Sequence, residues 1–170
     1  MNIHAGHPFA TPEGERSPVR RLRGRLASPV TLWTAVSGAG RAGLPVSSVM
    51  VADGEPGRLL GVLDPESDVY AALIESGRFA VMVLESGQQR VADEFADVVP
   101  VPGGAFRNYG WEDTAWGPVL TGATTWAGCQ LVATRAFGWG FLVEAVIEFV
   151  ELGEGEPLVY YRGRYRSLGS

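Results

Sequence analysis

What most constrains this chain is the rhythm of all but its first few tens of residues. From residue 30 onward, short β-branched and aromatic runs recur, Gly and Pro break them, and only two short helical patterns lie between them. "VTLWTAVS" (30–37), "LPVSSVMVA" (44–52), "GRLLGVL" (57–63) and "RFAVMVLE" (78–85) read as strands, with "GAGRAG" as the turn of a hairpin joining the first two. From residue 118 the pattern is β again, through "PVLTGATTWAGCQLVATRAF", "GWGFLVEAVIEFVEL" and "PLVYYRGRYRSL". A doubly wound sheet needs a longer helix after nearly every strand, so a mainly β, antiparallel barrel with short connecting helices is expected.

The connectors follow from local signals. "PESDVYAALIESG" places Val69, Leu73 and Ile74 on one helical face and offers Gly77 as the C-cap. "SGQQRVADEFA" spaces Val91 and Phe95 one turn apart. A basic helix over Arg20–Leu26 ends ahead of Pro29, whose predecessor is pushed out of helical geometry. Residues 97–117, rich in Pro, Gly and aromatics, read as an irregular segment wrapped over the body. With 170 residues, 46% of them hydrophobic, one core is expected: a flexible arm over 1–19 and a single domain over 20–170.

Several function classes fall away on chemistry. The net charge of −5 disfavours a nucleic-acid partner, which needs a local cation excess. No apolar run approaches bilayer length and no secretion-type segment opens the chain, so a cytoplasmic protein without membrane contact is expected. The single cysteine, Cys129, excludes an intrachain disulfide and any multi-cysteine metal site, and its apolar strand context points to packing. His4 and His7, the only histidines, fall in the arm, so neither a core histidine base nor a Ser-His-Asp arrangement is expected. Gly38, Gly40 and Gly43 satisfy GxGxxG, but they lead into a β-branched run and not a helix, which makes them a hairpin turn.

The remaining features leave alternatives open. Trp111, Trp116 and Trp139 sit beside glycines or loops, where a flat ring can cover a flat ligand or fill a core. Arg16, Arg20 and Arg23 share one solvated helical face. Arg162, Arg164 and Arg166 alternate with Gly163 and Tyr165, so in a strand they share a face, as a solvated edge or as a contact to a phosphate or partner subunit.

Taken in order, "RGRLASPVTLWTAVS", "GLPVSSVMVA", "ESGRFAVMVLESGQQRVADEFA", "WGPVL…WAGCQLV" and "PLVYYRGRYRSL" resemble the flavin reductase-like family of FMN-binding split barrels across about residues 20 to 168. The resemblance implies a homodimer of six-stranded antiparallel Greek-key barrels that bind FMN or FAD near the subunit interface. It also implies hydride transfer from NAD(P)H to flavin, with reduced flavin supplied to a monooxygenase. By the same resemblance Pro45, Val46, Ser47 and Ser48 lie along the flavin and its ribityl phosphate, and Gly61, Val62, Leu63 and Asp64 flank it. Ser67 approaches the phosphate at a helix N-terminus, and Gln89, Trp139 and Arg162 complete the cofactor-binding set. No catalytic side chain and no metal is implied.

The chain departs from the family pattern at three places. Asp68-Val69 stands where a basic residue followed by Thr or Ser is common beside the phosphate, leaving Arg41, Arg162 and Arg164 as candidate cations. Met82 replaces a frequent Asn, and Trp139 stands where many members place a histidine near the nicotinamide. These departures keep a second reading open, a non-catalytic flavin- or haem-binding barrel with Tyr160 or Tyr161 as an iron ligand. A third reading is a structural partner subunit held by its arginine-bearing C-terminal strand.

Overall fold

The computed structural model describes residues 12–169; His4, His7 and most of the arm expected over 1–19 lie outside the described residues. A basic helix α1 (Pro18–Arg25) opens the fold. Ser17 caps it by accepting from the Arg20 N–H, and Pro18 takes the first helical turn, where its missing N–H costs nothing. The strands that follow are β1 (Ser28–Pro29), β2 (Thr31–Ser37), β3 (Gly40–Val46), β4 (Val49–Ala52), β5 (Arg58–Leu63) and β6 (Arg78–Val83). Helix α2 (Asp68–Ser76) joins β5 to β6, and α3 (Gln89–Phe95) follows β6. The second half contributes β7 (Trp111–Asp113), β8 (Pro118–Leu120), β9 (Trp126–Phe137), β10 (Gly140–Glu151), β11 (Val159–Tyr161) and β12 (Arg164–Arg166).

Seven of these strands form one antiparallel sheet in the order β3-β2-β6-β9-β10-β5-β4. The expected split barrel is therefore present, but its main sheet has seven strands where six were expected. The extra strand arises because "LPVSSVMVA" is not one strand: it breaks at Ser47-Ser48 into β3 and β4. β3 pairs with β2, β4 pairs with β5, and the two strands stand at opposite edges of the sheet.

That break forces the curvature. Laid flat at about 4.8 Å per strand, a seven-stranded sheet is about 29 Å wide from edge to edge. The three peptide links from Val46 to Val49 reach at most about 11 Å. The sheet must curl until its edges nearly meet, and the chain crosses the seam on two serines.

The barrel interior is filled by Trp33, Leu59, Leu63, Leu73, Phe79, Cys129 and Val143, all nearly inaccessible. Trp33 stacks on Phe79 with ring centroids 4.8 Å apart. α2 plugs one opening with Val69, Ala72 and Leu73, and Gly77 ends it in the left-handed conformation, as its sequence position suggested. A second apolar cluster gathers Leu32, Met82, Leu84, Phe95, Trp126 and Leu158.

Residues 97–117 are more ordered than expected. They contain a 3-10 turn at Ala105–Asn108 and β7, which pairs with β8, because Phe95, Phe106 and Trp111 form an aromatic cluster with centroids 4.7 to 5.6 Å apart. The segment is tied down at Glu94, whose buried carboxylate takes hydrogen bonds from Arg90 Nε (2.7 Å) and Asn108 Nδ2 (3.2 Å).

The glycine-rich stretch behaves as a hairpin. Ser37 pairs with Gly40, so the turn is Gly38-Ala39, and Gly43 lies within β3 against the Phe95 ring. The C-terminal arginines require a correction: Arg162 does not share a strand face with Arg164 and Arg166. It occupies the β11–β12 turn with Gly163, both at positive φ (50° and 77°), because a two-residue hairpin whose strands twist normally needs that geometry.

Candidate functional site

The barrel seam and the elements beside it build one end of the molecule from residues far apart in sequence. Its anchor is a relay inside the wall: Trp33 Nε1 donates to Thr31 Oγ1 (3.0 Å), and the Thr31 hydroxyl donates to the Val46 carbonyl. This pins the end of β3, leaving Pro45 half-buried and Val46 buried, and the chain then emerges at the exposed Ser47 and Ser48.

Ser48 closes the seam. Its hydroxyl donates to the Val62 carbonyl at 2.9 Å, and the Val62 N–H lies 3.2 Å from both the carbonyl and the hydroxyl oxygen of Ser48. Ser47 is exposed and has no hydrogen-bond partner among the described residues. The two serines therefore differ: Ser48 holds the wall, and the Ser47 hydroxyl takes no part in it.

Opposite them β5 ends. Gly61 lies flush on Trp33, and Leu63 pairs with Phe141 on β10. Asp64 then turns the chain into α2: its carboxylate accepts the Glu66 N–H at 2.9 Å and its carbonyl accepts the Ser67 hydroxyl at 2.7 Å. Ser67 is buried, and its oxygen also accepts the Tyr70 N–H, so this hydroxyl is committed to capping α2. Asp68 stands exposed at the first helical position, placing a carboxylate at the positive end of the helix.

The fourth component is the tip of the β9–β10 hairpin. β6 pairs with β9 only as far as Gln130, so the rest of the hairpin projects with one edge uncovered. Gly140 sits so close to the Leu63 carbonyl that a β-carbon there would come within 2.8 Å of its oxygen. Beside it, in the turn, Trp139 is 84% exposed. Two residues not foreseen from sequence tie this hairpin to α2: Tyr70 on the helix, whose ring lies 5.3 Å from that of Phe141, and Thr134 on β9, whose hydroxyl lies 3.4 Å from that of Tyr70. The alternating pattern of β9 and β10 gave no sign of which residues would meet α2, since that depends on where β6 stops pairing.

Thus the structure brings Pro45–Ser48, Gly61–Asp64, Ser67 and Trp139 to one end of the barrel. Gln89 opens α3 beyond the end of β6, whose Val83 shares its partner Thr31 with Val46. Arg162 stands on the separate β1-β11-β12 sheet, its N–H bonded to the Gly24 carbonyl at 2.7 Å. Arg41 is at the far end of β3 and paired with Asp113 at 2.8 Å. Of the three tryptophans singled out, Trp111 donates to the Phe106 carbonyl and Trp116 stacks on Phe149, so Trp139 is the one with a ring to offer.

Other chemistry is quiet. Burial pushes the Cys129 thiol up to about 12, so it stays protonated and packs. Met82 is fully buried, and its sulfur accepts the Leu120 N–H. Among the described residues no three His, Cys, Asp or Glu side chains converge as a metal requires, and no helix is long and apolar enough to cross a membrane.

Comparison with known proteins gives this geometry a context. A family model described as "Flavin reductase like domain" matches residues 23–169. The chain is 34% identical over 151 residues to FMN reductase (NADH) RutF of Methylorubrum extorquens, covering 88% of this chain and 73% of that one. It is 32% identical over 145 residues to the reductase component of 4-hydroxyphenylacetate 3-monooxygenase of Thermus thermophilus, covering 85% and 91%. The crystal structure of nitrilotriacetate monooxygenase component B from Mycobacterium thermoresistibile superposes with a TM-score of 0.80 at 26% identity, over 89% of this chain and 85% of that one.

Proposed function

Because this chain belongs to the flavin reductase-like domain family, we propose that it is an NADH-dependent FMN reductase whose reduced flavin serves a flavin-dependent monooxygenase. The reading is supported by relatives named as FMN reductases and as reductase components of monooxygenases. Its flavin site is the seam end of the barrel. The observation that carries this is the meeting of the Ser47-Ser48 bridge, the end of β5 and an exposed indole on one surface.

The residues present suit a flavin. Ser47 offers an unpartnered hydroxyl, and the stretch from Pro45 to Ser48 offers backbone at the end of a pinned strand. Bound flavin supplies the hydride-accepting ring, so the chain needs no acid or base of its own. What the chain contributes is position: the Trp33–Thr31–Val46 relay fixes the wall, Ser48 holds the seam, and the exposed Trp139 indole offers a face on which a flat ring can stack. A phosphate here is held by the Ser47 hydroxyl and backbone amides of the seam, since the Ser48 hydroxyl is bonded to Val62, Arg41 is paired elsewhere and Asp68 repels it.

Two further features belong to this proposal. α1 presents Val19, Leu22 and Leu26 to solvent at 76%, 62% and 62% exposure, and the edge strand β4 adds Met50 and Val51. Exposed apolar side chains of this kind suit burial in a homodimer. A single buried thiol suits the reducing cytoplasm.

The test is direct. Titration with FMN, followed by flavin fluorescence, is expected to saturate, and NADH is expected to be oxidised when flavin is present. Failure to bind either FMN or FAD overturns the reading. Light scattering reports the homodimer independently.

A further inference from the structure

The β9–β10 hairpin carries a charge that the wall of the barrel does not use. Four arginines lie on the strands of the seven-stranded sheet, and three of them pair with carboxylates: Arg41 with Asp113 at 2.8 Å, Arg58 with Glu144 at 3.2 Å and Arg78 with Glu148 at 3.9 Å. The fourth, Arg135 on β9, is exposed and has no carboxylate partner among the described residues. Its guanidinium carbon lies 5.4 Å from the centroid of the Phe137 ring.

Strand register explains this arrangement and ties it to the seam. Arg135 pairs with Leu142, and Leu142 pairs with Val62, the residue that Ser48 bonds to close the barrel. Directly opposed residues share a sheet face, so Arg135 stands on the face of Val62, about 10 Å away across two strand spacings. Two residues along β9, on the same face, Phe137 is 50% exposed and pairs with Gly140, whose backbone lies against the Leu63 carbonyl. Glu144, two residues along β10 from Leu142, is held by Arg58 and so is not spent on Arg135. A guanidinium set over a ring keeps its N–H fork unspent.

Hydride transfer needs the nicotinamide face to face with the flavin ring, so the rest of NADH runs outward from the seam. Its diphosphate is an anion. Glu66 and Asp68, both exposed at the start of α2, repel it on one side. The hairpin offers Arg135 with the exposed rings of Phe137 and Trp139 on the other. Guanidinium forks match phosphate oxygens two at a time, and aromatic faces suit a flat adenine.

Taking the seam end as the flavin site of an NADH-dependent reductase, on which reading this rests, we propose that Arg135 binds the diphosphate of NADH. Phe137 lies beneath its guanidinium and steadies it.

The experiment compares Arg135→Gln with the parent protein, using FMN as acceptor and either NADH or the phosphate-free donor 1-benzyl-1,4-dihydronicotinamide. The KM for NADH is expected to rise about tenfold or more with kcat within about twofold, and the phosphate-free donor is expected to show no such rise. In calorimetric titration ADP-ribose, which carries the diphosphate but no hydride, is expected to bind the parent about tenfold or more tighter than the variant. Arg135→Lys keeps the charge without the fork and is expected to fall between. Arg135 is exposed and its side chain meets one ring, so the fold survives, which circular dichroism checks. An unchanged KM for NADH in the Gln variant overturns the inference, as does an equal rise with both donors or a parent that does not bind ADP-ribose. A matching loss of FMN affinity also overturns it, by assigning the arginine to the flavin phosphate. A parent that binds ADP-ribose through Arg135 yet reduces no flavin overturns the proposed function and leaves this site standing.

Discussion

Gly61 and Trp33 meet with no room between them: a β-carbon on Gly61 would stand 2.4 Å from Cη2 of the Trp33 indole. The indole spans the barrel from β2 to β5, and only a residue without a side chain lets it lie there. Gly61→Ala is expected to destabilise the protein by about 1–3 kcal/mol through overpacking. Urea denaturation checks this, and an unchanged midpoint refutes the close approach.

The division of labour between the serines separates stability from binding. Ser48→Ala removes the hydroxyl bonded to Val62 and is expected to cost about 1 kcal/mol of stability. Ser47→Ala is expected to leave the denaturation midpoint alone and weaken FMN by about threefold to tenfold. The double variant Ser47→Val with Ser48→Val combines both effects. If FMN affinity is unchanged in Ser47→Ala, that hydroxyl is not a ligand.

Trp139 offers its ring to solvent, so its removal tests function nearly free of folding. Trp139→Ala is expected to change stability by no more than about 0.5 kcal/mol. The lost stacking surface is expected to raise the KM for flavin or NADH by about threefold to tenfold. A variant with unaltered KM values places the indole outside the binding surface.

Glu94 gives the fold an acid limit. Hydrogen bonds from Arg90 and then Asn108 hold its carboxyl below the usual 4.5. A carboxylate whose pKa is depressed by folding adds stability above its unfolded value and loses it as pH falls through the folded one. Glu94→Gln is therefore expected to lower Tm at neutral pH, and the gap from the parent protein is expected to narrow below about pH 4.5. A gap that is constant with pH shows that the charge contributes nothing.

Much of the architecture was legible from local pattern. Short strands, two connecting helices, the Gly77 cap and the glycine-rich turn of the first hairpin all follow from signals that act within a few residues. The split of "LPVSSVMVA" was hidden because both halves have the same β character; only pairing with different partners separates them. Order in residues 97–117 was hidden for a related reason, since it depends on Phe95 and Glu94 arriving from α3. Within the candidate site, Pro45 to Ser48 and Gly61 to Asp64 were named by resemblance, and the structure brings them together. The resemblance did not reveal that the Ser67 hydroxyl is consumed by its own helix cap or that Arg162 docks on α1. Those depend on atoms competing for one donor or one turn, which a sequence pattern does not record.

The two-residue crossing from β3 to β4 also makes the barrel's girth a matter of counting peptides. A core substitution can be absorbed by neighbouring side chains, but a residue inserted between Val46 and Val49 lengthens the only covalent tether between the sheet edges. The Ser48–Val62 bonds would then have to hold a gap that chain length no longer limits. Adding or removing a residue at that point therefore perturbs the barrel more than the exposure of its two serines would suggest.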